Sequence, residues 1–282
     1  VRAPQVVMQW YRGDWIRGQN LWRRWMRAYN EPRPGGQALK PVLSACCATV
    51  LGFTGMTEEK QYEYLDRYLE EKMPLDRWWI DAGWFPVPEG APWWNYGTWT
   101  PDPVRFPNGL KPVMDYAHAK GLQTVLWFCT ETVRPGTWLE QNHPQWLIPQ
   151  LEYGQRSLLN LANPEAHQWA VEHINRCIDG YGVDVYRHDN EIGALPLWRS
   201  QDKEDRQGMT EIQYVTNFLS LYDEILRRHP KMLIDNCCAG GRRNDVATLR
   251  RSVPLWRSDV WGAPTPMQSM TYGLAMWIPY FG

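Results

Sequence analysis

No window of this 282-residue chain approaches the roughly 20 consecutive apolar residues that a membrane-spanning helix needs, so a spanning segment of that kind is excluded. Net charge is nearly absent as well. With 30 Lys plus Arg against 31 Asp plus Glu and no long run of either sign, nothing favours a polyanionic partner, and nucleic acid is not expected as a ligand. There is no internal repeat and no low-complexity tract. The N-terminus shows neither a Met nor a basic-then-apolar signal pattern, so the start reads as excised and localisation stays open. The six cysteines stand as Cys46-Cys47, Cys129, Cys177 and Cys237-Cys238, with no Cys-x-x-Cys spacing, which argues against a zinc finger. Adjacent cysteines are poor staples. They read as reduced, mostly buried thiols and favour a reducing compartment such as the cytoplasm. Phenylalanine is scarce too, with 6 residues against 18 Trp and 14 Tyr. The excess lies in aromatics that combine a flat apolar face with a hydrogen-bonding edge, a type suited to sugar faces; the competing reading is that Trp fills a large core.

Length is compatible with one α/β barrel around one core. Residues 1–38 read as a lead-in or the remnant of an upstream domain, with an amphipathic helix expected over 20–29 and a break at Pro32, Pro34, Gly35 and Gly36. From residue 39 to 282 strands and helices alternate. Strands are expected at 41–45, 76–81, 122–128, 183–189, 231–235 and 255–258. Helices are expected at 57–72, 109–120, 164–179, 210–229, 243–251 and 266–273, and 275–280 reads as a seventh strand. Repeated strand-helix units imply a parallel sheet covered by helices, hence a TIM-type (β/α) barrel whose last unit is truncated or irregular; a doubly wound sheet is the second choice. The Trp-rich stretch 83–106 is too long for a mere connection and is a candidate functional loop.

In such a barrel the chemistry sits at the C-terminal ends of the strands. Those ends carry Asp81, Glu131, Asp189, Asp235 and Asp259. An Asp at a strand end often only caps a turn, but five in series form a ring. Three chemistries fit it: two carboxylates for glycoside hydrolysis, three for a divalent metal (Asp81, Glu131 and Asp189, with Asp235 in reserve), or a phosphate site at Gly240-Gly241 and the following helix N-terminus. Trp78, Trp79 and Trp84 beside Asp81, Trp127 before Glu131 and Trp256 before Asp259 give apolar walls next to acids, which favours sugar. Arg187 would keep a neighbouring nucleophile ionised.

The stretch Cys237-Cys238-Ala239-Gly240-Gly241-Arg242-Arg243-Asn244-Asp245, followed by Leu255-Trp256-Arg257-Ser258-Asp259, resembles two elements of the α-galactosidases of glycoside hydrolase family 36, at the family's spacing. Arg187-His188-Asp189 resembles the family's Lys-Trp-Asp, Trp79-Ile80-Asp81-Ala82-Gly83-Trp84 its Asp-Asp-Gly-Trp element, and Trp127-Phe128-Cys129-Thr130-Glu131 its Trp-Phe-Glu-Pro-Glu. The likeness runs in strand order over about residues 40 to 280, and only the segment from Cys237 to Asp259 is specific. It implies a retaining α-glycosidase without cofactor or metal, with Asp189 as nucleophile and Asp259 as acid/base. Asp81, Trp84, Trp127, Glu131, Arg187, Cys237, Gly240, Arg243 and Trp256 would bind an oligosaccharide or glycoside. For Cys237 a buried thiol, and for Arg243 a surface charge at a helix end, are the plain alternatives. His188 alternates with Asp189 along the strand and is expected on the opposite face, in the core.

Departures from the family pattern fall on the terminal-sugar pocket. Ala82 replaces a sugar-binding Asp, Arg187 a Lys and His188 a Trp, and Cys46-Cys47 stand where a Trp often follows strand one. A metal-dependent barrel enzyme and a non-catalytic carbohydrate-binding relative are the alternative functions. A homo-oligomer is also open.

Overall fold

The computed structural model describes residues 6–150, 156–260 and 262–280. Eight strands occur among them: β1 Ser44–Ala45, β2 Arg77–Ile80, β3 Gln123–Phe128, β4 Thr132–Val133, β5 Leu147–Gln150, β6 Arg156–Leu159, β7 Val185–His188 and β8 Leu233–Asn236. Five of them form one parallel sheet in the order β1-β2-β3-β7-β8, and an isolated parallel bridge from Asp235 to Val253 carries the curve one step further. Helices Glu58–Glu70, Lys111–Ala119, Pro164–Tyr181 and Met209–Arg228 cover its outer face, as expected for a (β/α) barrel. Their ends follow local chemistry. Thr57 Oγ1 accepts from Lys60 N at 3.1 Å, Asn163 Oδ1 from Glu165 N at 2.9 Å, and the long helix from Pro164 stops at Gly182, whose φ of 78° a side chain would resist.

Strand register sorts the side chains into rungs. Val125, Val185 and Leu233 are partners across β3, β7 and β8 and meet Met26, Leu249, Val253, Ile278 and Tyr280 inside the arc. One residue on, Leu126, Tyr186 and Ile234 form the next rung; all three belong to the main core, which the helices complete. The next step brings Trp127, Arg187 and Asp235 back to the inner face, and then Phe128, His188 and Asn236 to the outer. The rise of the strands thus delivers an apolar inner rung first and a polar one at the C-terminal end.

Several stretches differ from the sequence expectation, among them the strand expected at 41–45, which shrinks to Ser44–Ala45. Residues 255–258 are not a strand: the Leu255 N–H goes to the Asp235 carboxylate at 2.9 Å instead of to a ladder. Residues 275–280 are not a strand either, because helix Pro264–Ala275 runs into them and Met276, Trp277 and Ile278 donate to Tyr272 and Leu274 carbonyls. Helix 243–251 shrinks to Val246–Leu249, capped by Asp245. The N-terminal helix runs Trp15–Trp25 and continues as a wider turn to Asn30. Gln19 and Trp22 tie it to the Met276 and Trp277 carbonyls, and Asn30 ties it to Tyr280. Between β3 and β7 the chain builds an antiparallel sheet, β4-β6-β5, which no sequence pattern announced.

Candidate active site

A cavity of about 710 Å³ opens at the C-terminal ends of the strands. Its floor is the polar inner rung. Trp79 from β2, Asp81 just beyond it, Trp127 from β3, Arg187 from β7 and Asp189 one residue past β7 all line it, with Trp256 and Asp259 from the segment after the Val253 bridge. Asp189 shares a face with Arg187 because the two are separated by one residue of extended chain, and His188 between them points away. The loop 83–106 supplies Trp93, Trp94 and Tyr96 to one wall, and Cys46, Thr49 and Phe53 come from the segment after β1. The second sheet contributes Arg134 and Arg156.

Asp189 is held by three donors. Its Oδ1 accepts from the N–H of Asn190 at 2.8 Å and of Ala239 at 2.7 Å, and its Oδ2 from the Trp127 indole at 3.1 Å. It is 7% exposed. Asp259 is exposed to the cavity mouth and accepts one bond, from the Trp256 indole at 2.7 Å. Each carboxylate is therefore aimed by the N–H of a cavity tryptophan. The two are also bridged by one turn: Ala239 donates to Asp189, and a Cβ on the next residue, Gly240, would lie 2.8 Å from the Asp259 nitrogen and 3.2 Å from its Cγ. Only glycine fits there.

Arg187 lies over the Trp79 ring at 4.3 Å, pairs with Asp235 at 2.5 Å and brings Nε within 3.8 Å of Asp81. Burial pushes the Asp81 carboxyl up to about 6 against the pull of the Arg187 guanidinium and of the Ala82 N–H. Glu191, two residues beyond Asp189, is pushed up to about 7 by burial and then by the charges of Asp189 and Asp259. The Cys46 thiol, raised to about 11 chiefly by burial, stays protonated near neutrality.

Several residues expected at the sugar lie elsewhere. Trp84 is fully buried, its indole donating to the Trp127 carbonyl at 2.8 Å, so it supports the wall from behind. Glu131 is fully buried on the side of the sheet where His188 lies. It accepts from Arg243 at 2.8 and 3.3 Å and from the Tyr214 hydroxyl at 2.7 Å, and lies 3.0 Å from His188 Nε2. Burial opposes its ionisation, yet the Arg243 guanidinium and His188 hold it well below the usual carboxylate range. Arg243 is accordingly neither a sugar ligand nor a surface charge: it stacks on Phe218 at 4.1 Å and pairs with Glu131. Cys237 is 1% exposed and does not line the cavity, and Gly240 packs on Asp259. Asp235 stands behind Arg187, 2% exposed.

The five-carboxylate ring thus divides, with Asp81, Asp189 and Asp259 at the cavity and Glu131 and Asp235 in ion pairs away from it. Among the described residues no three His, Cys, Asp or Glu side chains come together as a metal would require, and the Glu131 of the proposed metal set is already bound to Arg243. The phosphate reading also loses its cradle. Ala239 gives its N–H to Asp189, and the following helix begins only at Val246, five residues past Gly241, under an acidic cap. The sequence reading overlooked Glu191, Arg134 and Arg156. Glu191 was in plain sight beside Asp189; the two arginines depend on the antiparallel sheet.

The melibiase family model matches residues 42–280. The chain is 28% identical over 195 residues to α-galactosidase C of Emericella nidulans, covering 64% of this chain and 25% of that protein. It is 27% identical over 210 residues to α-galactosidase AgaA of Geobacillus stearothermophilus, covering 71% and 28%. The chain therefore spans about a quarter of the length of these curated relatives. Among solved structures, a variant of AgaA in complex with 1-deoxygalactonojirimycin superposes with a TM-score of 0.78 at 20% identity, over 93% of this chain and 37% of that one. The α-galactosidase of Lactobacillus brevis gives 0.77 at 20%, over 93% and 35%. At this identity these likenesses establish the fold, a (β/α) barrel.

Proposed function

The chain belongs to the melibiase family, and from that premise we propose that it is the catalytic barrel, residues 39–282, of an α-galactosidase-like retaining glycoside hydrolase. In this reading the Asp189 carboxylate attacks the anomeric carbon while Asp259 gives its proton to the departing glycosidic oxygen. The leaving group departs as an alcohol, and the sugar stays on Asp189 as an ester. Asp259, now a carboxylate, takes a proton from water, whose oxygen displaces Asp189 and releases the sugar with retained configuration. Such a mechanism needs the two carboxyls roughly 5 to 5.5 Å apart.

The observation that carries the reading is the shared cavity in which two adjacent residues of one turn, Ala239 and Gly240, touch both carboxylates. Their surroundings suit the two roles. Asp189, buried under three donors, is fixed in place; Asp259 stands where water reaches it. Tryptophan faces at 79, 93, 127 and 256 offer the apolar walls a sugar ring uses. Solved relatives named α-galactosidases have been captured with stachyose and with raffinose, which makes terminal α-galactosides the first substrates to try. Of the departures from the family pattern, Arg187 lines the cavity while Ala82 and His188 are fully buried away from it, so the relative rates on aryl α-galactoside, α-N-acetylgalactosaminide and α-glucoside measure what the Arg187 exchange does to the pocket. We expect the galactoside to lead.

Asp189→Asn should lower kcat/KM on the aryl α-galactoside by about 10⁴-fold or more, with azide restoring turnover to a galactosyl azide of inverted configuration. A fully active Asp189→Asn ends the proposal. Wild-type hydrolysis of any aryl α-glycoside excludes the non-catalytic reading.

A further inference from the structure

After β8, four consecutive residues adopt positive φ: Cys238 at 47°, Ala239 at 50°, Gly240 at 84° and Gly241 at 70°. Two of the four carry a Cβ, for which this left-handed region is unfavourable. Such a turn needs the surrounding structure to fix it. Its own closing bond runs from Gly241 N to the Cys237 carbonyl at 2.5 Å. Just beyond it, the Arg243 carbonyl accepts from Asn236 Nδ2 at 2.6 Å, and the Arg243 guanidinium is gripped from below by Glu131, which is itself fixed by Tyr214. Neither Glu131 nor Arg243 lines the cavity. The opposite side of the turn does meet the chemistry, through the Ala239 N–H on Asp189 and through Gly240 against Asp259.

We propose that Glu131 and Arg243 are positioning residues, whose buried ion pair holds the left-handed turn 238–241 in the place from which it orients Asp189 and Asp259 together. The inference rests on the reading of those two aspartates as the catalytic pair. Its physical content is leverage: Arg243 stands two residues past Gly241, so releasing its fork lets the strained turn relax, and the first contact to go is the Ala239 N–H on the carboxylate. The fork matters as well as the charge, because two parallel N–H bonds fix the guanidinium's orientation where an ammonium would fix only its position.

The test compares Arg243→Lys and Glu131→Gln with wild type on an aryl α-galactoside, alongside hydrogen exchange of the Ala239 amide and urea unfolding. A displaced carboxylate is expected to lower kcat about 10²-fold, with KM held within about threefold. Ala239 exchange should accelerate while the amides of β3 and β7 keep their protection. Should Glu131→Gln fail to fold, Arg243→Lys, which keeps the charge against Glu131, carries the comparison. Wild-type kcat in folded Arg243→Lys overturns the proposal, and so does a loss of kcat with Ala239 protection intact. If the wild type hydrolyses no glycoside, the catalytic reading falls. The coupling is then decided by the same amide: faster exchange upholds the brace, unchanged exchange removes it.

Discussion

The two arginine-carboxylate assemblies at the strand ends are built from the same residue types on opposite sides of one sheet, yet they behave oppositely. Arg187 faces inward, between Asp235 and Asp81, stacked on Trp79 at the floor of the cavity. Arg243 meets Glu131 on the other side of the sheet, among His188, Tyr214 and Phe218. In the first, one arginine is shared between two carboxylates, and Asp81 is left at arm's length with its carboxyl raised to about 6. In the second, one carboxylate collects every available donor and stays ionised. The alternation of side chains along β7, with Arg187 on one face and His188 on the other, separates the two assemblies. The lesson is that the face on which a strand-end acid emerges decides whether it opens on the cavity or holds the architecture.

Removing the acid of each assembly should break the symmetry most visibly. Glu131→Ala leaves Arg243 buried without its partner and should cost about 3–5 kcal/mol of stability in urea unfolding. Asp81→Ala, which removes a carboxyl whose charged form burial already disfavours, should cost no more than about 1 kcal/mol. Equal losses would mean that the two assemblies are energetically alike.

The pH dependence sharpens the contrast, since the signs are opposite. Asp81 has a folded value near 6 against 3.8 for the free carboxyl, so the native state binds the extra proton and stability falls as pH rises from about 4 to about 6. Glu131 lies below its free value of 4.5, so its stabilisation is complete above that pH and lost as pH falls beneath it. Unfolding measured from pH 7 down to about 2 should therefore show Asp81→Asn gaining up to about 3 kcal/mol on wild type toward pH 7, and Glu131→Gln losing its part of the acid sensitivity below pH 4.5. A pH-independent difference between Asp81→Asn and wild type contradicts the assignment. The smallest effect is expected at Trp79→Phe, where a weaker ring under Arg187 should cost about 1 kcal/mol or less, without change in the Glu131 assembly.

The strands from β2 to β8 of the parallel sheet were legible because β-branched and aromatic runs at those positions have no other economical home, and helix starts at Thr57 and Asn163 carried ordinary capping chemistry. The order of acids along the barrel mouth was legible for the same reason. What could not be read was direction. Trp84 and Trp127 both stand near strand-end acids, and only the packed structure separates a wall from its backing. Glu131 looked like Asp81 because both follow apolar strands; three residues of irregular chain after Phe128 carry it to the far side. The antiparallel β4-β6-β5 sheet escaped notice because strands of two and four residues leave too short an alternation to detect, and Arg134 and Arg156 went with it.

The indole bonds of Trp127 and Trp256 have a consequence for how this site can change over time. Under the proposed function, the ring that would meet a sugar and the atom that aims each acid belong to the same side chain. Adaptation to a new sugar by exchanging either tryptophan would disturb the acids in the same mutational step. If the proposed function holds, the positions open to diversification are the rings without that duty, Trp93 and Trp94 on the long loop, where an exchange leaves the hydrogen bonds to both acids in place.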